Sequence, residues 1–148
     1  MKEIERKFLV TDFSAIKDCP FAEIKQTYLF NEYDKSLRIR LKNKQAFITI
    51  KGNQVGITRD EFEYQIPKKD ALEIIQRFNL KVLSKKRYYF NIDNFTWEID
   101  VFEGKLNGLI VAEIELPFET FEFEIPDWIG EEVTYDSSYL NAELFKKL

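Results

Sequence analysis

The sequence predicts an α+β domain in which eight mainly antiparallel strands close into a barrel, a tunnel built from two β-α-β-β-β units with helices packed outside. Three observations lead there. Apolar and charged residues alternate in runs of strand length along most of the 148 residues. The runs recur in the same order in both halves of the chain, with little identity between the halves. The charged face of each run is sorted by sign, with paired acids on the first, fifth and last strands and paired cations on the third and sixth. An ordinary solvated sheet face mixes its signs.

The elements follow in order. Glu3-Ile4-Glu5-Arg6-Lys7-Phe8 has a period of two, which a strand uses and a helix does not. Glu3, Glu5 and Lys7 therefore project into one space, with Ile4 and Phe8 opposite. Thr11 to Ser14 reads as a short helix start. Strands near 25–30, 37–42 and 46–51 come next, carrying Arg38, Arg40 and Lys51 on one parity. The second half opens on Arg59 to Ile66, with Arg59, Glu61 and Glu63 on one face. Pro67 to Phe78 has helical spacing at Leu72, Ile75 and Phe78, with Asp70 as the expected N-cap. Strands near 83–90, 95–102 and 109–116 carry Lys85 and Arg87, Glu98 and Asp100, and Glu113 and Glu115. Glu119 to Glu132, with Phe121, Phe123 and Ile125, reads as an outer covering segment. Ser137 to Leu148 is expected to be a third helix capped by Ser137, placed at the tunnel mouth or at a homodimer contact.

Composition narrows the function classes. A chain of 17.7 kDa is expected to form a single domain over 1–148, and 45% hydrophobic with 16% aromatic content argues for a folded globule. A net charge of -4 argues against nucleic acid or a membrane surface as partner. The absence of histidine removes imidazole bases, His-ligated zinc and Ser-His pairs together. Cys19 is alone, the amino terminus is charged, and no apolar run approaches ~18 residues, so a cytoplasmic protein is expected.

If the charged faces point into the barrel, Lys7, Arg38, Arg40, Lys51, Arg59, Lys85 and Arg87 meet Glu3, Glu5, Glu61, Glu63, Glu98, Asp100, Glu113 and Glu115. The outer apolar face, which includes Ile4, Phe8, Ile39, Ile50, Ile99 and Ile114, is then expected to lie under the helices. So many ions cannot be buried dry and unpaired. They need water, one another and a charged ligand. Arginine and lysine suit phosphate oxygens, and carboxylates without His or Cys suit Mg²⁺ or Mn²⁺. Both clusters in one cavity point to a metal-bound polyphosphate.

Glu3-x-Glu5-x-Lys7 resembles the ExExK signature of the CYTH superfamily, the triphosphate tunnel metalloenzymes. The resemblance continues through Gln26-x-Tyr28-Leu29, Arg38-x-Arg40, Thr49-Ile50-Lys51, Glu61-x-Glu63, Lys85-x-Arg87, Glu98-x-Asp100 and Glu113-x-Glu115 to Glu132-Val133-Thr134 and Tyr139-x-Asn141. It thus covers almost the whole chain. It implies a tunnel that binds a small-molecule triphosphate with Mg²⁺ or Mn²⁺. Glu3, Glu5, Glu113 and Glu115 match its metal-binding carboxylates. Lys7, Arg38, Arg40, Lys51, Lys85 and Arg87 match its triphosphate-binding cations, and Arg59 joins them by its face. Glu61 and Glu63 match acids that orient cations or water, and Tyr28 and Lys51 match a tyrosine–lysine pair of thiamine triphosphatases. The expected activity is metal-dependent hydrolysis, with inorganic tripolyphosphate favoured and either Glu63 or Glu115 as the group that activates water. The alternatives are a class IV adenylate cyclase, a thiamine triphosphatase and a non-catalytic polyphosphate- or nucleotide-binding module. Intact acids at 3, 5, 113 and 115 speak against the last, since carboxylates repel an anion unless a cation intervenes.

Overall fold

A computed structural model describes residues 2–148. The strands are β1 (Lys2–Val10), β2 (Phe21–Glu32), β3 (Lys35–Lys42), β4 (Gln45–Gly52), β5 (Thr58–Ile66), β6 (Leu83–Ile92), β7 (Phe95–Phe102), β8 (Ile110–Glu115) and β9 (Ile129–Glu132). Two α-helices accompany them, α1 (Lys68–Arg77) and α2 (Asn141–Phe145), among the described residues. The strands run in the order β5-β4-β3-β2-β6-β7-β8-β1, every neighbouring pair is antiparallel, and β1 returns to β5 to close the ring. The closed eight-stranded barrel is as the sequence predicts.

Closure rests on β1. Glu5 to Leu9 pair along one edge with β8, from Glu5 opposite Glu115 to Leu9 opposite Val111. The other edge is shared, with Lys2 to Ile4 on β5 and Phe8 to Val10 on β9. Strand β9 lies inside the stretch read from sequence as a covering segment, and its four residues are too few to show a period. It forms because the barrel leaves that edge of β1 unpaired. Gly130 suits the approach, since a Cβ there would stand 2.7 Å from Thr11 Cγ2.

Parity then sorts the side chains. Phe8, Trp97, Ile99, Ala112 and Ile114 face outward and form the main core with Ile16, Leu116 and Trp128. Trp97 meets Phe8, Phe123 and Trp128 with ring centroids 5.5, 5.8 and 5.8 Å away. The chain from Phe118 to Trp128 covers this face without being helical. Helix α1 covers a smaller face, with Ala71, Ile74 and Ile75 on Ile39, Leu41 and Ala46. Contrary to expectation Ile50 is uncovered, because α1 stops short of it, and with Phe62 and Tyr64 it leaves an exposed apolar stripe on β4 and β5.

Three local expectations are corrected. Asp70 lies in the first turn of α1, where a carboxylate favours the helix dipole, while Pro67 occupies the N-cap. Asp136, not Ser137, caps the closing segment by accepting from Ser138 N, and it closes only a single 3-10 turn over Ser137–Tyr139. Leu140 is extended (φ -64°, ψ 138°), so the expected long helix shrinks to α2. This segment does not pack outside. Leu144 meets Leu83, Phe102 and Val111, with Leu9 beside them, on the inward parity of their strands. One end of the barrel is therefore stoppered with apolar side chains.

Trp97→Ala should destabilise the fold by about 3–5 kcal/mol through the cavity it leaves. Urea unfolding measures this, and a loss below about 1 kcal/mol would mean that the aromatic cluster is not the main core.

Candidate active site

The inward parity produces two walls of opposite charge around a cavity of about 220 Å³. The acid wall comprises Glu3 and Glu5 from β1, Glu113 and Glu115 from β8, Glu61 and Glu63 from β5, and Glu98 from β7. The cation wall comprises Arg38, Arg40 and Lys42 from β3 and Arg87 from β6, with Lys51 reaching across from β4. Nine of the thirteen predicted site residues thus share one space: Glu3, Glu5, Arg38, Arg40, Lys51, Glu63, Arg87, Glu113 and Glu115.

The other four lie apart. Lys85 is fully buried behind the wall, donating to Asp100 Oδ2 at 2.6 Å and to Asn141 Oδ1 at 2.8 Å. Lys7, Tyr28 and Arg59 border narrow spaces that lead toward the opposite mouth. Lys7 Nζ donates to Tyr139 O at 3.1 Å and stands 3.3 Å from Glu113. Tyr28 packs against Phe145 and accepts from Gln26, while the Lys51 ammonium bonds Glu3 instead of Tyr28. Arg59 donates to Gln54 Oε1. A pocket of about 280 Å³ lies beyond, between the β2–β3 turn and the closing segment, and Arg59 alone of the predicted residues borders it. The larger space therefore lacks the opposed walls of acids and cations, and its ion pair, Lys35 with Glu32 at 3.4 Å, is exposed.

Sequence reading missed Lys42, the place of Asn141 in the bore and the packing role of Lys85. Lys42 was readable, because 38, 40 and 42 share one parity. Its Nζ stands 5.3 Å from the Tyr89 ring at the rim of the cavity. Asn141 was quoted only as part of the closing motif, in a segment whose leucine spacing predicted one long helix, and only the tertiary structure brings it to the bore.

Each wall has charge in excess. Burial pushes the Glu5 carboxyl well above its ordinary value, and Glu113 and Glu3 push the same way. Glu115 is raised by burial and by Glu3, Glu61 and Glu98. Glu61 is raised by burial, against the pull of Lys51. Glu3 is the exception: burial raises it, but the Lys51 ammonium more than reverses this and holds it at about 2. On the facing wall, burial with repulsion from Arg38 and Arg87 lowers Arg40 to about 9. Among the described residues Arg38 Nε is buried without a hydrogen-bond partner, while its Nη2 donates to Thr49 Oγ1 at 3.1 Å. Beneath the cation wall, Arg87 grips both oxygens of Asp100 at 2.7 and 2.9 Å and reaches Glu98 at 3.0 Å. The bore thus offers an anion one side and a cation the other.

The chemistry of the acid wall fits a hard divalent ion, since its donors are carboxylate oxygens short of positive charge. Among the described residues, no three carboxylates are drawn together in ligating geometry. Lysine ammoniums stand among them.

Comparison with known proteins agrees with this geometry. The pattern of the CYTH domain matches residues 1–146. An inorganic triphosphatase of Acetivibrio thermocellus is 46% identical over 146 residues, covering 98% of this chain and 94% of that protein. An inorganic triphosphatase of Nitrosomonas europaea is 35% identical, covering 97% of each chain. A solved structure of an inorganic triphosphatase superposes with a TM-score of 0.69 at 34% identity, covering 96% of this chain and 93% of that one.

Asp100→Asn should destabilise the protein by about 3–5 kcal/mol at neutral pH, because Lys85 and Arg87 lose their buried counter-charge. Burial raises the Asp100 carboxyl, but Arg87 and Lys85 outweigh it and hold it below its ordinary value. Its contribution is therefore complete above the unfolded value of about 3.9 and is lost as pH falls through the folded one. Urea titrations at several pH values should show a smaller acid loss in the variant; an equal loss would place the stabilisation elsewhere.

Proposed function

The chain belongs to the CYTH domain family, and from that premise we propose that it hydrolyses inorganic triphosphate in the charged bore, with Mg²⁺ or Mn²⁺ as cofactor, in the cytoplasm. The observation that carries this reading is the pair of opposed walls around one space. A polyphosphate chain lies along the cation wall, and the acid wall takes up the metal.

Arg38 and Arg40 reach the phosphate oxygens first. Arg38 Nε has a buried donor to spare, and Arg40 regains ordinary basicity when an anion screens it from Arg38 and Arg87. Arg87 is aimed by Asp100 and Glu98, which fix its planar fork before substrate arrives. Lys42 meets the end of the chain at the rim. Lys7 and Lys85 act from behind, Lys7 on Glu113 of the metal seat and Lys85 on Asp100, which aims Arg87. Glu3, Glu5, Glu113 and Glu115 hold the metal, which when bound supplies positive charge to the phosphate oxygens.

Water attacks the terminal phosphorus in line, the bond from phosphorus to the bridging oxygen breaks, and orthophosphate and pyrophosphate leave. The attacking water gives up a proton. Of the two acids left open by sequence, Glu115 is the better acceptor, because it lines the bore and among the described residues carries no ion pair. Glu63 already accepts a hydrogen bond from Thr49 Oγ1 at 2.9 Å and stands 3.6 Å from Arg38.

Purified protein with Mg²⁺ or Mn²⁺ should release phosphate from tripolyphosphate much faster than from ATP; equal or reversed rates would remove the substrate assignment. Glu115→Gln should lower kcat about 10²–10⁴-fold. A kcat within a few-fold of the unaltered protein would exclude Glu115 as proton acceptor.

A further inference from the structure

The carboxylates of the acid wall share their space with Lys51. Its Nζ donates to Glu3 Oε2 at 2.8 Å and to Oε1 at 3.1 Å, and lies 3.3 Å from Glu61 Oε2. Both residues of the main pair are largely shielded, with side-chain exposures of 16% and 13%. An ammonium that touches both oxygens of one carboxylate sits in the notch between them. A divalent ion bound to those oxygens at about 2.0–2.6 Å would occupy the same notch. The two cations cannot share it, because like charges a few ångströms apart in a shielded site repel strongly.

We propose that Lys51 is a tethered cation that keeps the metal seat on Glu3 filled and must swing out of it when a divalent ion binds. The inference rests on the reading of the acid wall as the metal seat. It also accounts for the lack of a ready carboxylate cage among the described residues, since Glu3 and Glu61 close on the ammonium instead. The long flexible stem of lysine allows the movement, and β4 keeps its Cα between Ser36 and Glu61 in the ladder.

Where the ammonium goes has a consequence for binding order. Leaving Glu3 and Glu61, Lys51 faces a bore already carrying Arg38, Arg40 and Arg87. The other carboxylates there are taken, since Glu5, Glu113 and Glu115 belong to the metal seat, Glu63 pairs with Arg38 and Glu98 with Arg87, so an anion in the bore is the new partner. A free divalent ion must displace the ammonium into a repulsive field, whereas an ion arriving with triphosphate brings the partner along. Metal and triphosphate therefore load together, and Lys51 passes from carboxylate to phosphate oxygen as they enter.

The test is Mn²⁺ binding by the full-length protein without phosphate, read from the electron paramagnetic resonance of the free ion. Lys51→Met and Lys51→Gln should bind Mn²⁺ about tenfold more tightly than the unaltered protein, equivalent to about 1.4 kcal/mol. Binding that is unchanged or weaker in both variants, while Glu3→Gln abolishes it, would overturn the tethered cation and leave the metal seat intact. Binding that survives Glu3→Gln, or no binding by any form, would overturn the metal seat and this inference with it.

Discussion

Buried carboxylates repel one another unless a cation stands among them, and the interior of this barrel is arranged around that constraint. Strand geometry alternates side chains between two faces, so closing the sheet commits every second residue to the inside. Here that residue is most often charged. The strands are ordered so that β1, β5 and β8 bring acids to one side and β3 and β6 bring cations to the other. Some charges are satisfied within the protein, as in the grip of Arg87 on Asp100. Others are not: Arg38 Nε has no partner among the described residues and Glu5 is pushed toward its protonated form. The unmet charge on both walls is what suits the bore to a metal-bound polyanion.

The apolar parts of the chain make this interior possible. Charges inside require greasy surfaces outside, and the cluster around Trp97 holds β1, β7 and β8 together from the outer face. The closing segment performs the opposite task from within. Leu144 seals one end against Leu83, Phe102 and Val111, and the same segment brings Asn141 to the Lys85 ammonium and the Tyr139 carbonyl to Lys7. Two lysines that would otherwise add to the cation wall are thereby held behind it. The bore owes its charge balance to this tail as much as to the strands.

Most of this was legible in the sequence, for a covalent reason: side-chain parity in a strand does not depend on what the strand packs against. Glu3, Glu5, Arg38, Arg40, Glu113 and Glu115 could be assigned to one interior from their spacing, and the repeated unit indicated closure. Depth along the barrel was not legible. Lys85 and Arg87 have the same parity, yet only Arg87 reaches the cavity, because the apolar stopper surrounds the end where Lys85 lies. Strand β9 and the break at Leu140 were also hidden, since each is imposed by a distant partner: the free edge of β1 for one, and the barrel end for the other. Lys42 was legible and overlooked.

The central claim is that cation and anion meet inside the bore, on opposite walls. Diffraction from crystals grown with Mn²⁺ and imidotriphosphate, an analogue that resists hydrolysis, tests it most directly. The expected result is an anomalous manganese peak against Glu3, Glu5, Glu113 and Glu115, with the phosphates lying along Arg38, Arg40 and Arg87. Manganese and analogue bound instead in the pocket beside Tyr33 and Tyr135, or on the outer wall, would contradict it.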